Sequence, residues 1–238
     1  MPSAFKELSR ETALMAEEDS GNFLRWQGLR VLAADGSTLH IGELQYRSII
    51  ASLSEKDYQR LIGPGKKAYE MEQREILLVS IYDTLNRLTI SAEHVLKNIG
   101  ERELLVRQLS ALPKDCVLVL DRGYQGHWLY YLLNKLGIRF CIRIPLDRAV
   151  RWHREFIESG DAQLRRKFIV PAKDLDKLRA QGLRPRKNTG AEFRVIRVDL
   201  PSGESELLVS NLSDKDYAPT LFGELYHLRW PIEGSYDL

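Results

Sequence analysis

The run "CVLVLD", residues 116–121, constrains the fold of this chain more than any other stretch. Its apolar residues follow one another without polar alternation, so both faces need apolar cover. That is the setting of an inner strand in a largely parallel sheet. The amphipathic stretch "GHWLYYLLNKLG" follows, and then a second strand-like run, "IRFCIRI". Strand, helix and strand in succession define an α/β unit.

The other segments fit around this unit. Residues 3–18 read as a helix with Ser3 as a possible N-cap, followed by "LRVLAADGSTLHIG" as two short strands around a tight turn at Asp35-Gly36. Residues 53–74 are polar, contain Gly63-Pro64-Gly65, and read as a surface excursion. Strands are expected at 76–83 and 87–96 and a helix at about 101–111, where Leu104, Leu105, Gln108 and Leu109 recur at helical spacing. From 145 to about 205 short strand-like pieces stand in a basic background. "ELLVSNL", 206–212, then reads as a strand, and a terminal helix starts near Pro219.

Between residues 145 and 200, fourteen Lys and Arg stand against eight Asp and Glu, a net +6 that leaves the rest of the chain at −4. An internal basic segment of this kind suits a polyanionic partner, and suits a solvated face equally well. No run of about 18 apolar residues is present, and Lys6, Glu7 and Arg10 occupy the place of a signal peptide's apolar stretch, so a cytoplasmic protein without a membrane partner is expected. Cys116 and Cys141 lie in apolar runs without CxxC spacing, as buried thiols do.

Three carboxylates carry the chemistry. Asp35 ends "RVLAAD", Asp121 ends "CVLVLD", and Glu233 lies in the terminal helical pattern. Groups at the carboxyl ends of strands in an open α/β sheet converge on one edge. Two aspartates there and a glutamate from a covering helix would form an all-oxygen cluster suited to Mg2+ or Mn2+ and to in-line phosphoryl displacement. Taken singly, Asp35 has a plain alternative as a turn former and Glu233 as a solvated residue, while Asp121 is harder to dismiss because two glycines follow it in "DRGYQG" and let a backbone or ligand approach closely. Tyr226, Arg229 and Glu233 stand at i, i+3 and i+7, one helix face, with Leu225, Leu228 and Ile232 on its neighbour. Such a stripe suits a phosphate and a metal, although Arg229 and Glu233 could equally form a surface ion pair. Pro231 predicts a kink or restart just before Glu233.

Taken together, "VLAADGSTLHIG", "VLVLDRGYQG" and "YHLRWPIEG" resemble the DDE transposases of bacterial insertion sequences, specifically the IS4-type group, from about residue 27 to the end. Its signature on the last helix is Tyr-x2-Arg-x3-Glu-x6-Lys, matched here by Tyr226, Arg229 and Glu233.

The resemblance implies an RNase H-like core, a mixed sheet with flanking helices, interrupted by a β-rich insertion. Its expected parts are a remnant helical flank at 1–26, core at 27–144, basic insertion at 145–205, and last strand with a truncated catalytic helix at 206–238. Asp35, Asp121 and Glu233 would hold two Mg2+ ions, with Mn2+ as a substitute. They would hydrolyse a phosphodiester at a transposon end, and the freed 3′-hydroxyl would attack a target phosphate. Tyr226 and Arg229 would contact double-stranded DNA, as would Arg165, Arg166 and Lys167 of the insertion, with Trp152 stacking on a displaced base or packing within the insertion. A homodimer and a nucleoid-associated location follow from the same resemblance.

The signature's Lys would fall at position 240, and the segment before Trp26 is short for an end-binding region. A chain truncated at both ends is therefore expected. Two further readings stay open: a non-catalytic DNA-binding product that competes with intact transposase, and an RNase H-like nuclease without strand transfer.

Overall fold

The computed structural model describes residues 23–51, 75–96, 99–147 and 149–232. The helix expected at 3–18, the excursion at 53–74 and Glu233 lie outside these residues. The elements run β1 (Arg30–His40), α1 (Glu43–Ala51), β2 (Glu75–Asp83), β3 (Leu88–Leu96), α2 (Glu101–Gln108), β4 (Cys116–Leu120), α3 (His127–Lys135), β5 (Arg139–Ile144), α4 (Arg151–Ser159), β6 (Gln163–Ile169), α5 (Leu175–Ala180), β7 (Gly190–Asp199), β8 (Ser205–Ser210) and α6 (Phe222–His227). They form the expected α/β fold, an RNase H-like mixed sheet with flanking helices, whose eight strands lie in the order β3-β2-β1-β4-β5-β8-β7-β6.

Two compact units divide the chain. Among the described residues the first holds 34–51, 75–81, 89–96 and 99–112. Here Tyr46 of α1 packs on Ile76, with Ile41, Ile49 and Ile50 around it, while Leu104 of α2 packs on Leu77 and Val79 of β2. The buried Gln108 side chain seats α2 by donating to the carbonyl oxygens of Val79 at 3.1 Å and Leu104 at 3.3 Å.

The second unit holds 23–33, 82–88 and the described residues from 113 onward. Its parallel strands are β1, β4 and β5, with Ala33 opposite Val119 and Val119 opposite Cys141. Beyond them β5, β8, β7 and β6 pair antiparallel. All five residues of β4 are buried, and the two faces explain why. On one face Val117 and Val119 join Cys141, Leu208 and Ile196 beneath Phe222, Leu225 and Tyr226 of α6. On the other, Tyr130 of α3 stacks on Phe140 at 5.9 Å and meets Phe193 edge-on at 6.2 Å. Each such side chain stabilises the fold by roughly 1.5–3 kcal/mol.

The structure differs from the sequence expectation in three places. The tight turn expected at Asp35-Gly36 is absent, since β1 runs unbroken from Arg30 to His40. Hydrogen bonding to the neighbouring strand outweighs a dipeptide's local preference. Residues 145–205 contain two helices, α4 and α5, besides strands, and β6 and β7 extend the same sheet. Finally, α6 stops at His227, so Tyr226 and Arg229 do not share one continuous helix. Pro231 supplies a reason: it lacks the N–H that would bond to the His227 carbonyl and its ring crowds that carbonyl, and the chain continues as a tighter turn closed by the Ile232 amide on the Arg229 carbonyl at 3.2 Å.

Candidate active site

Asp121 stands one residue beyond β4, where the backbone is still extended (φ −77°, ψ −179°) and the sequence turns to Arg122-Gly123-Tyr124. Its Oδ1 accepts a hydrogen bond from the Gly123 amide at 2.9 Å, which caps the short helical turn that follows. A Cβ at Gly123 would lie 3.0 Å from that oxygen, so the glycine is what lets the carboxylate close on the backbone. The buried ring of Tyr124 anchors the turn from below. The carboxyl group itself is only half-buried, and its Oδ2 takes no protein hydrogen bond among the described residues. A strand end, a rigid turn and an outward oxygen suit a ligand for a hard cation.

Asp35, in the first unit, is likewise half-buried, and its Oδ1 accepts from the Gly36 amide at 2.9 Å. The Glu101 side chain, at the start of α2, lies where a Gly36 Cβ would be, with its carboxyl carbon 2.6 Å from that point. Asp35 and Asp121 each stand two residues after a member of the register pair Ala33 and Val119. Among the described residues no cluster of three acidic, His or Cys side chains forms a metal site, and Glu233 lies outside them.

Tyr226 and Arg229 are enclosed, at 4% and 6% exposure. The Arg229 guanidinium lies 5.7 Å from the Tyr226 ring centroid and 5.3 Å from that of Trp230. Burial raises the Tyr226 phenol above its ordinary range, against the pull of Arg229 and Arg143, so it is neutral in the fold. Two residues not singled out in the sequence stand beside it. Arg143 of β5 and Glu206 of β8 form an ion pair at 3.0 Å. The only sequence signal for them is that each interrupts or opens an apolar strand run, "IRFCIRI" and "ELLVSNL".

The basic residues on β6 and the aromatic on α4 have mixed settings. Arg165 is exposed and paired with Asp214 at 2.7 Å and Glu192 at 3.7 Å. Lys167 is exposed on the same strand. Arg166 lies 4.3 Å over the ring of half-buried Trp152, which also meets Phe168 edge-on at 6.4 Å. The Trp152 ring is thus engaged on one face by a cation.

A family model described as a transposase DDE domain matches residues 26–237, and the chain belongs to that family. The family comprises DNA-processing domains that cleave phosphodiesters and transfer nucleotidyl groups with divalent metals. No curated protein matches the chain. Among solved structures it is similar to a piggyBac transposase synaptic complex with hairpin DNA, at 9% identity and a TM-score of 0.43, covering 86% of this chain and 39% of that one. It is also similar to Ciona intestinalis endonuclease V in complex with a 24mer DNA containing an inosine followed by a ribo-adenosine, at 11% identity and a TM-score of 0.33, covering 93% and 89%. No helix among the described residues is long and apolar enough to cross a membrane.

Proposed function

We propose that this chain is the catalytic domain of an IS4-type transposase that hydrolyses phosphodiester bonds at insertion-sequence ends and transfers the freed strand. The observation that carries the reading is the match of residues 26–237 to the transposase DDE domain, together with Asp121 held on a capped turn at the carboxyl end of β4. Asp35 and Asp121, with Glu233 from the terminal segment, would hold the two Mg2+ or Mn2+ ions. The Asp121 Oδ2, free of protein partners among the described residues, fits that role. When bound, the ions would supply Lewis-acid stabilisation of the attacking and leaving oxygens.

The protein's own contribution is placement. The Gly123 amide fixes the Asp121 carboxylate, and the Gly36 amide fixes Asp35, so neither acid has to be ordered when a phosphate arrives. Arg166, Lys167 and Arg165 on β6 would contact the DNA backbone, whereas Arg229, enclosed as Tyr226 is, would need α6 and the following turn to shift before it met a phosphate. Trp152 would exchange its cation contact with Arg166 for a base. Two protomers acting on paired DNA ends complete the scheme.

The test is nicking of supercoiled plasmid in Mg2+ or Mn2+ by the native chain, Asp35→Asn and Asp121→Asn. Metal-dependent nicking lost in both variants supports the assignment. Equal nicking by native and variant chains overturns it. DNA binding without nicking by the native chain favours the non-catalytic competitor.

A further inference from the structure

We propose that Arg143 and Glu206 are positioning residues that hold Tyr226, and through it the chain entering Pro231, at the carboxyl edge of the sheet. This rests on the catalytic reading above and assigns Tyr226 a packing role in place of the DNA contact that the family resemblance implies.

The argument starts from the sheet. Arg143 lies opposite Leu208 in the β5–β8 register, and Glu206 is two residues from Leu208 on the same strand face. Cys141 and Leu208 sit on that face beneath α6, in the same cluster as Tyr226. The ion pair therefore closes the floor under Tyr226 at the end of the apolar patch. Glu206 is 12% exposed and Arg143 is 34% exposed, so the pair is shielded on one side and anchored in the sheet.

The Tyr226 hydroxyl is enclosed and has no hydrogen-bond partner among the described residues, and the positive charge of Arg143 acts on it against burial. A phenol so enclosed does not reach a phosphate from this position. What it fixes is the rotation of α6, because any turn of the helix that exposes the hydroxyl also withdraws the ring from Cys141 and Leu208. α6 has six residues, too few to hold itself, so its placement comes from such contacts. Directly beyond it the chain passes Arg229 and Trp230 to Pro231, the route to Glu233. A loss of rotation at Tyr226 is carried along this turn to Ile232.

The experiment uses the full chain with Arg143→Met, Tyr226→Phe and the charge-swapped pair Arg143→Glu with Glu206→Arg. Amide hydrogen exchange is followed in peptides covering 222–232 and 116–120, together with the Kd for a DNA duplex and the nicking rate at saturating DNA. Arg143→Met and Tyr226→Phe are expected to speed exchange at 222–232 about tenfold while leaving β4 unchanged. They should lower the nicking rate with the DNA Kd within about twofold, and the charge swap should recover most of both losses. Unchanged exchange at 222–232 in Arg143→Met overturns the proposal. So does a Tyr226→Phe chain that binds DNA more weakly, with a shallower salt dependence, and exchanges as the native chain does. A native chain that fails to nick defeats the catalytic reading alone, since the exchange measurement decides the positioning role without it.

Discussion

Replacing Arg194 with Met tests whether the antiparallel half of the sheet is held by its one large polar network. Arg194 is 2% exposed on β7. Its Nε and Nη2 donate to Gln163 Oε1 at 3.0 and 2.6 Å, and its Nη1 donates to the carbonyl oxygens of Leu212 and Ser213, both at 3.1 Å. Its Nε also pairs with Asp214 at 2.8 Å, and the guanidinium lies 5.0 Å from the centroid of Phe222. Burial lowers the guanidinium's pKa while Asp214 opposes the shift. Methionine keeps the aliphatic packing but leaves the part-buried Gln163 oxygen and the Leu212 and Ser213 carbonyls without this donor, while Asp214 keeps Arg165. Each buried acceptor left without its donor costs about 1–3 kcal/mol, which for these three oxygens starts at about 3 kcal/mol. At the lower end of that range, a chain of this size should melt roughly 6–12 °C lower. Arg194→Lys should recover less than half of the loss, because an ammonium cannot reproduce the fork. The assay is urea denaturation followed by tryptophan fluorescence, with thermal melting as a second probe. A destabilisation below about 1 kcal/mol for Arg194→Met would refute the reasoning, placing the network within the range of ordinary surface ion pairs.

Three further outcomes are expected. His153 is buried, with Nδ1 accepting the Asp147 amide at 3.1 Å; burial lowers its pKa below 6.5, aided by Arg166 and opposed by Asp147. The unfolded chain therefore binds the proton first, and stability present above about pH 6.5 falls as pH drops below that value; denaturant titrations from pH 8 to 5 should show the decline flattened in His153→Gln. Burial pushes the Cys116 thiol up to about 12 and raises Cys141 as well, so neither should react with a disulfide reagent at pH 8 until denaturant is added. A Cβ at Gly190 would lie 2.4 Å from the Phe168 carbonyl oxygen and 2.9 Å from Ile169 Cα, so Gly190→Ala must shift β6 and should cost about 1–3 kcal/mol. By contrast, Gly36→Ala meets only the movable end of Glu101 and should cost less, as a parallel denaturation series would show.

The parallel centre was legible because β4 is apolar at every position, which admits few settings other than a strand covered on both faces. Asp121 was legible as a strand end for a related reason, since a carboxylate directly after such a run breaks the apolar pattern and β4 stops at Leu120; Asp35 marks no such end, because β1 runs on to His40. The end of α6 at His227 was not anticipated: Pro231 signalled a kink just before Glu233, but its effect reaches back four residues. Other features depend on partners distant in sequence. The Asp35-Gly36 pair carries a turn signal that neighbouring strands override. Arg143 and Glu206 meet only because β5 and β8 pair, and nothing local in either run announces the other. Nor could the enclosure of Tyr226 and Arg229 be read from a helical wheel, which gives a face but not what covers it.

The second unit is assembled from three stretches of chain, and the partner of Ala33 is Val119. Its first strand is therefore synthesised well before β4 and must wait for it before it has a parallel neighbour. Pairings this distant in sequence close large loops before they gain any contact energy, which makes folding slow. During that wait Val31, Leu32 and Ala33, fully buried in the finished molecule, stand open to other chains. Yield on refolding should accordingly depend on protein concentration more steeply than on the native state's own stability.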